Sequence, residues 1–148
     1  MSLKAILAAK GSEVVSIEFT ADLAAAANLL NKHRIGALVV LGVGGRLAGI
    51  LSERDIVRAM AENGSPALQL PVAEVMTRDV STCDVNDSIG SVMERMTKGR
   101  FRHMPVLEKD RLAGVVSIGD LLKLHIETIR EQLHQLEASI AEFELMRI

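Results

Sequence analysis

A ten-residue stretch occurs twice in this chain and constrains its fold more than any other feature. Arg46–Asp55 reads RLAGILSERD, and Arg111–Asp120, 65 residues later, reads RLAGVVSIGD, with six of the ten positions identical. Each copy places a serine and an aspartate three residues apart, where an apolar run passes into a helical pattern. Such a repeat indicates duplicated structural units and predicts that the two halves of the chain align in register.

The two halves align along most of their length. Ser16–Leu41 matches Thr82–Leu107 at an offset of 66, and beyond the next turn the offset is 65. The order of apolar runs and helical periods predicts two β-α-β-β-α units over residues 10–66 and 72–125. The fold class is therefore α/β, or more narrowly α+β. Two such small units, related by a pseudo-twofold axis, are expected to share one core.

Local patterns predict where the elements of each unit begin. The first strands are expected at Val14–Ile17 and Val80–Cys83, with a linker over Ala67–Pro71 between the units. Cys83 lies in a strand-like stretch, so it is expected to be a buried structural thiol rather than a nucleophile.

The repeated stretch carries residue types that suit a nucleotide. A glycine in the strand permits close approach of backbone or a flat ligand. A serine at a helix start favours an anion, and an aspartate one turn later can accept bonds from ribose hydroxyls. The competing interpretation is a plain helix cap with an acidic first turn. The glycines are Gly49 and Gly114, the serines Ser52 and Ser117, and the aspartates Asp55 and Asp120.

Basic residues are distributed unequally between the two copies. Arg54 lies inside the first copy, where the second has Gly119, and Arg100, Arg102 and His103 cluster just before the strand of the second unit. Such a cluster can neutralise a phosphate or pyrophosphate. The alternative is a solvated surface with ordinary ion pairs. Two unequal clefts are therefore expected.

Composition and motifs exclude several classes of function. The net charge of −2 and pI of about 6.1 argue against nucleic-acid binding. No apolar run approaches a membrane span and no signal sequence is evident, so neither a membrane nor secretion is expected. The single cysteine fits a reducing compartment, so a cytoplasmic location is expected. No metal-ligand spacing, phosphate-binding loop or nucleophile–base pair is present, so no catalytic or metal site is predicted.

The paired segments resemble a known family. Gly49–Ile56 and Gly114–Leu121 each read G-φ-φ-S-x-x-D-φ, where φ is apolar, and the segments HRIGALVV and RFRHMPVL precede them. This arrangement over residues 10–125 resembles a tandem pair of CBS domains, a Bateman module of the stand-alone bacterial type. The resemblance implies a non-catalytic regulatory unit that senses energy or nucleotide state and acts on an unidentified protein partner. It further implies an adenosyl ligand, with AMP the first choice and ADP, ATP, NAD or S-adenosylmethionine as alternatives.

The resemblance also assigns roles to residues of both copies. The aspartates would hold ribose hydroxyls and the serines would face phosphate, while adenine would lie against apolar strand residues and nearby backbone. The residues in these roles are Asp55, Asp120, Ser52 and Ser117, with Arg54 on one side, Arg102 and His103 on the other, and Ile50, Val115 and Thr77 around the base.

One departure from the family pattern separates the two clefts. The first unit has Val39 where the second has Pro105, and it has no histidine beside it. The Ser117/Asp120 cleft is therefore expected to be the one that fills.

The C-terminal segment predicts a single long helix. From Leu122, apolar residues follow at alternating spacings of four and three, and a helix over residues 118–146 would be about 40 Å long. Such a seam needs a partner. Pairing with a second copy, in a homodimer, is the main expectation, and packing on the chain's own N-terminal segment is the alternative. The seam consists of Leu122, Ile126, Ile129, Leu133, Leu136, Ile140 and Phe143.

Two other functions compete with nucleotide sensing. One is a structural dimerisation unit whose clefts stay empty and whose long helix is the working part. The other is an enzyme acting on nucleotides, for which the sequence offers no catalytic group.

Overall fold

The secondary structure repeats itself along the chain, in a computed structural model that describes residues 2–11 and 14–147. The helices are α1 (Leu3–Lys10), α2 (Leu23–His33), α3 (Glu53–Asn63), α4 (Val72–Val75), α5 (Ile89–Gly99) and α6 (Ile118–Met146). The strands are β1 (Ser16–Glu18), β2 (Ala37–Leu41), β3 (Leu47–Ser52), β4 (Cys83–Asp84), β5 (His103–Glu108) and β6 (Arg111–Ser117), and short 3₁₀ helices cover Val43–Gly45 and Ser65–Gln69. The predicted α/β fold with two repeats and a long C-terminal helix is confirmed.

Both units build the same three-stranded sheet. In the first, β1 pairs parallel with β2, which pairs antiparallel with β3, and in the second β4, β5 and β6 repeat this order. The register of the antiparallel pair shifts between Val40 and Leu41, and again between Val106 and Leu107. Because these positions are equivalent in the sequence alignment, the duplication extends to the irregularities of the sheets.

Each unit buries its own core, and each core is completed by a segment from outside the unit. Leu3 and Ile6 of α1 pack into the core of the second unit. Ala67, Val72 and Met76, which lead into the second unit, pack into the core of the first. The expectation of a single shared core is therefore wrong. Each unit has a separate core, because the segment it receives from outside covers its sheet.

Some element boundaries differ from the expectation. β1 begins at Ser16, and β4 covers only Cys83–Asp84; Val80 and Ser81, which were expected to belong to that strand, line a cavity between the units. The expected linker includes most of the Ser65–Gln69 3₁₀ helix. Cys83 is 4% exposed and burial raises its pKa to about 11, which confirms the buried thiol.

α6 lies partly on the second unit and partly beyond it. Leu121 and Leu124 are buried in the core of that unit, whereas every residue from Ile129 to Arg147 is exposed. The helix has 29 residues, so its length is about 43 Å at 1.5 Å per residue. The predicted helix over residues 118–146 is confirmed, and most of it has no packing within the described part of the chain.

Candidate functional site

A cavity of about 780 Å³ lies between the two units. Its walls come from the β3–α3 junction, from the segment after α4, and from the α5–β5 and β6–α6 junctions. A smaller concavity of about 580 Å³, on the β5–β6 hairpin, contains none of the predicted site residues. The residues that line the larger cavity include Ile50, Ser52, Glu53, Arg54, Asp55, Arg58, Thr77, Asp79, Arg100, Arg102, His103 and Ser117.

The first Ser–Asp pair caps a helix and leaves one carboxylate oxygen outside the cap. Ser52 Oγ accepts from the Asp55 amide at 3.2 Å, and Asp55 Oδ2 accepts from the Ser52 amide at 2.9 Å. This reciprocal pair holds the start of α3 in place. The other carboxylate oxygen, Oδ1, has Arg58 at 3.7 Å. The cap interpretation is therefore correct locally, and it leaves Oδ1 available to a ligand.

The second Ser–Asp pair forms the same cap, and its aspartate also forms an ion pair with a lysine. Asp120 and Ser117 exchange hydrogen bonds of 3.1 and 2.9 Å, as in the first unit. In addition, Lys10 Nζ donates to Asp120 Oδ2 at 2.7 Å and to the Val115 carbonyl at 3.0 Å. Partial burial alone raises the pKa of Asp120, but hydrogen bonds from Lys10 and Ser117 outweigh it and the pKa is lowered. Asp120 therefore stays ionised and paired at neutral pH.

The glycines of the repeat receive the exchanged segments. A Cβ on Gly49 would lie 2.6 Å from the Thr77 carbonyl oxygen, and one on Gly114 would lie 2.5 Å from Leu7 Cδ2. Beside Gly49, the backbones of Ile50 and Thr77 exchange hydrogen bonds of 3.0 and 2.9 Å. The sequence-based expectation of close approach at the glycines is confirmed, and the approaching group in each case is the chain itself.

Basic side chains outnumber acidic ones in the lining of the cavity. Four arginines and His103 line it, together with three carboxylates. The pKa of His103 is lowered, and burial is the largest cause. The positive charges of Lys10 and Arg102 lower the pKa further, whereas the negative charges of Glu53 and Asp120 oppose the shift. The imidazole is therefore neutral at neutral pH and can either donate or accept a hydrogen bond. The arginines are Arg54, Arg58, Arg100 and Arg102, and the carboxylates are Glu53, Asp55 and Asp79.

Eight of the ten predicted site residues line this single cavity, and two lie outside its lining. Arg102 and His103, which the sequence assigned to the Asp120 cleft, lie in the same cavity as Asp55. Asp120 and Val115 instead contact Lys10. The eight that line the cavity are Ile50, Ser52, Arg54, Asp55, Thr77, Arg102, His103 and Ser117.

Two further residues were missed by sequence reasoning. Arg58 follows Asp55 by three residues on α3, so helical spacing alone places both on one face. Lys10 lies 110 residues from Asp120, and no local signal announces that contact.

Within residues 2–11 and 14–147 there is no cluster of three or more histidine, cysteine, aspartate or glutamate side chains suited to a metal ion. In the same ranges no helix combines the length and the apolar character needed to cross a bilayer.

The two repeats match the sequence profile of a known protein family. The sequence profile of the CBS domain matches residues 10–62 and 72–127. A curated relative, the mitochondrial CBS domain-containing protein CBSX3 of Arabidopsis thaliana, is 35% identical over 115 residues, which are 75% of this chain and 56% of that protein. This chain thus spans little more than half the length of that relative.

Solved structures share both the fold and part of the sequence. A CBS-domain protein of Agrobacterium tumefaciens is 44% identical with a TM-score of 0.79, over 82% of this chain and 91% of that one. A CBS-domain protein of Pyrobaculum aerophilum, complexed with AMP, is 29% identical with a TM-score of 0.72, over 81% and 89%. A CBS-domain pair complexed with 5′-methylthioadenosine and S-adenosyl-L-methionine is 28% identical with a TM-score of 0.74, over 84% and 99%.

Proposed function

Because the chain belongs to the CBS-domain family, we propose that it is a non-catalytic regulatory module that binds an adenosyl ligand in the cavity between its two repeats. The observation that carries this proposal is that one cavity brings together the Asp55 carboxylate, one oxygen of which the cap does not use, and four arginines. Asp55 Oδ1 can accept hydrogen bonds from ribose hydroxyls, and the arginines that line the same cavity suit a phosphate or another anionic group.

The ligand's parts fit different walls of the cavity. Ser52 and Ser117 stand at helix starts, where the positive end of the helix dipole favours an anion, and Arg54 and Arg102 add charge. Ile50 supplies apolar surface for a base. Related CBS proteins complexed with AMP, and with 5′-methylthioadenosine and S-adenosyl-L-methionine, support an adenosyl ligand. AMP remains our first choice, and ATP, ADP and NAD share the same ribose and phosphate chemistry.

The Asp55 cavity, rather than the Asp120 cleft, is our choice for the primary site. Asp55 shares its cavity with seven other predicted site residues, whereas Asp120 lies outside that lining and pairs with Lys10 at 2.7 Å. Beside Asp55, the Arg58 guanidinium lies 3.7 Å from Oδ1, and it can either move aside for a ligand or bind the ligand itself. The ligand-bound module would act on a protein partner in the cytoplasm.

Isothermal titration calorimetry of the whole protein tests this function. AMP, ATP, NAD and S-adenosylmethionine are titrated separately, and at least one is expected to bind saturably at one site per chain. Ribose 5-phosphate and inosine monophosphate serve as controls for the phosphate and the base. Absence of heat with all four adenosyl compounds would reject the proposal in favour of a structural unit with an empty cavity.

Replacing Lys10 by methionine is expected to open the second cleft. The change keeps the aliphatic stem and removes the ammonium group, so the Val115 carbonyl loses its Lys10 bond and Asp120 Oδ2 keeps only the bond from the Ser117 amide. Both side chains of the ion pair are partly exposed, so it is worth about 1 kcal/mol or less. Affinity at the second site should therefore rise by up to about fivefold.

The measurement for this prediction is the same calorimetric titration, carried to concentrations where weak second sites appear. Lys10→Arg, which retains the charge, is the matched control and should behave like the unmodified chain. Identical second-site binding in all three proteins would show that Lys10 does not block the cleft.

A further inference from the structure

α6 exposes an apolar seam that the rest of the described chain leaves uncovered. The seam residues are between 41% and 64% exposed. The N-terminal helix does contact α6, but Leu3 and Ile6 pack beside Leu121 and Leu124, which lie on a different face of the helix. The alternative in which α1 hides the seam is therefore wrong. The seam residues are Leu122, Ile126, Ile129, Leu133, Leu136, Ile140 and Phe143.

The residues that flank this seam carry a sign pattern. The spacing makes Ile126, Leu133 and Ile140 heptad position a, and the other seam residues position d. On the flank that follows position d, the first two residues are basic and the last two acidic. On the other flank the residues are His125, Gln132 and Ser139. The charged flank consists of Lys123, Arg130, Glu137 and Glu144.

These four charges have no ion-pair partner within 4.0 Å among the described residues. A flank whose charge changes from positive to negative halfway along a helix is complementary to a second copy of itself only when the second helix runs in the opposite direction. An antiparallel helix brings each residue of this flank against the same flank of its partner. The charge pattern therefore selects both the kind of occupant and its direction.

We propose that a second copy of α6 packs antiparallel on this seam, with Lys123 facing the partner's Glu144 and Arg130 facing the partner's Glu137. Two-fold symmetry doubles these to four attractive pairs. The same register stacks six apolar layers, in which Ile126 meets the partner's Phe143 and Leu133 meets the partner's Leu136.

Other arrangements of two α6 helices lose this complementarity. In a parallel pair, the charged flank faces the other flank, so Arg130 lies near His125 and Glu137 near Gln132, without an oppositely charged pair. Sliding the antiparallel pair by one heptad places Arg130 against Arg130, or Glu137 against Glu137, of the partner. The proposal is independent of whether the nucleotide cavity is occupied.

Charge reversal in the full chain tests the proposal. Glu137→Lys with Glu144→Lys makes the flank wholly basic, and Lys123→Glu with Arg130→Glu makes it wholly acidic. Sedimentation equilibrium should show each variant's dimer weakened by at least about tenfold, since attractive pairs become repulsive. Mixing the two variants should restore dimers. Circular dichroism establishes that each variant is folded. Unchanged association in both variants, or no dimer of the unmodified chain, would overturn the proposal.

Distances between spin labels separate the two directions. Gln135→Cys and Glu142→Cys occupy the same heptad position, and buried Cys83 stays unlabelled. In the proposed register, labels at 135 lie level with one another. Labels at 142 lie about 22 Å apart along the axis, because Glu142 is level with the partner's Glu127. Equal separations at the two sites would mean a parallel pair and would also overturn the proposal.

Discussion

Replacing Asp55 by alanine is expected to weaken adenosyl-ligand binding by about 1–3 kcal/mol, which is about 5- to 150-fold in affinity. The side chain lines the cavity, and its Oδ1 is the one carboxylate oxygen of the pair that the helix cap does not use. Charge-assisted bonds to ribose hydroxyls are stronger than neutral ones, and their loss leaves those hydroxyls without acceptors. Calorimetric titration with the best ligand of the four measures the change.

Asp120→Ala is the matched control for this experiment. Each substitution removes one Ser–Asp cap, which costs about 0.5–2 kcal/mol of stability, and Asp120→Ala also removes the Lys10 ion pair, worth about 1 kcal/mol or less. Only Asp55 lines the cavity, so only its loss should alter affinity. The reverse result, with affinity lost in Asp120→Ala alone, would move the ligand to the second cleft and restore the preference drawn from the sequence.

Gly49→Ala is expected to destabilise the fold by about 1–3 kcal/mol, the usual cost of overpacking. The new Cβ would lie 2.6 Å from the Thr77 carbonyl oxygen and 2.8 Å from Met76 Sδ. Backbone cannot rotate out of the way, so the Ile50–Thr77 hydrogen bonds must lengthen or break. The lower entropy of an alanine in the unfolded chain offsets only about 0.5–1 kcal/mol.

Gly114→Ala provides the comparison, because it is the equivalent position of the repeat. There the obstructing atom is Leu7 Cδ2, at the end of a flexible side chain that can change rotamer. A loss of less than about 1 kcal/mol is expected. Urea unfolding of both variants, followed by circular dichroism, gives the two values. An equal loss of unfolding free energy at the two positions would show that the two exchanged segments are equally rigid. The Ile50–Thr77 backbone pairing would then add no rigidity of its own.

Much of the fold and of the site was accessible from sequence because the signals are local or repeated. Alternating apolar runs and helical periods located the strands and helices, and the duplicated Ser–Asp spacing located both helix starts. The serine at position 117 and the heptad spacing from Leu122 together predicted α6 over residues 118–146, as observed. Each of these signals depends on residues within a few positions of one another, so it can be read without the tertiary structure.

The errors arose where distant segments meet. The exchange of α1 and the α4 segment between units replaced one expected core with two, because packing partners lie outside the periodic pattern of either unit. The short β4 reflects the same limitation, since strand length depends on what the neighbouring strand offers. Residues 80 and 81 are strand-like in composition but line the cavity instead.

The duplicated α/β unit, the Ser–Asp pair at each repeat and the C-terminal amphipathic helix are all evident in the amino-acid sequence. These properties follow from local hydrogen bonding and from the periodicity of apolar residues. The pairing of Lys10 with Asp120 across 110 residues, and the position of Asp55 in the cavity between the units, could be read only from the folded chain. The physical reason is that an ion pair requires two side chains within a few ångströms, and folding alone sets that distance.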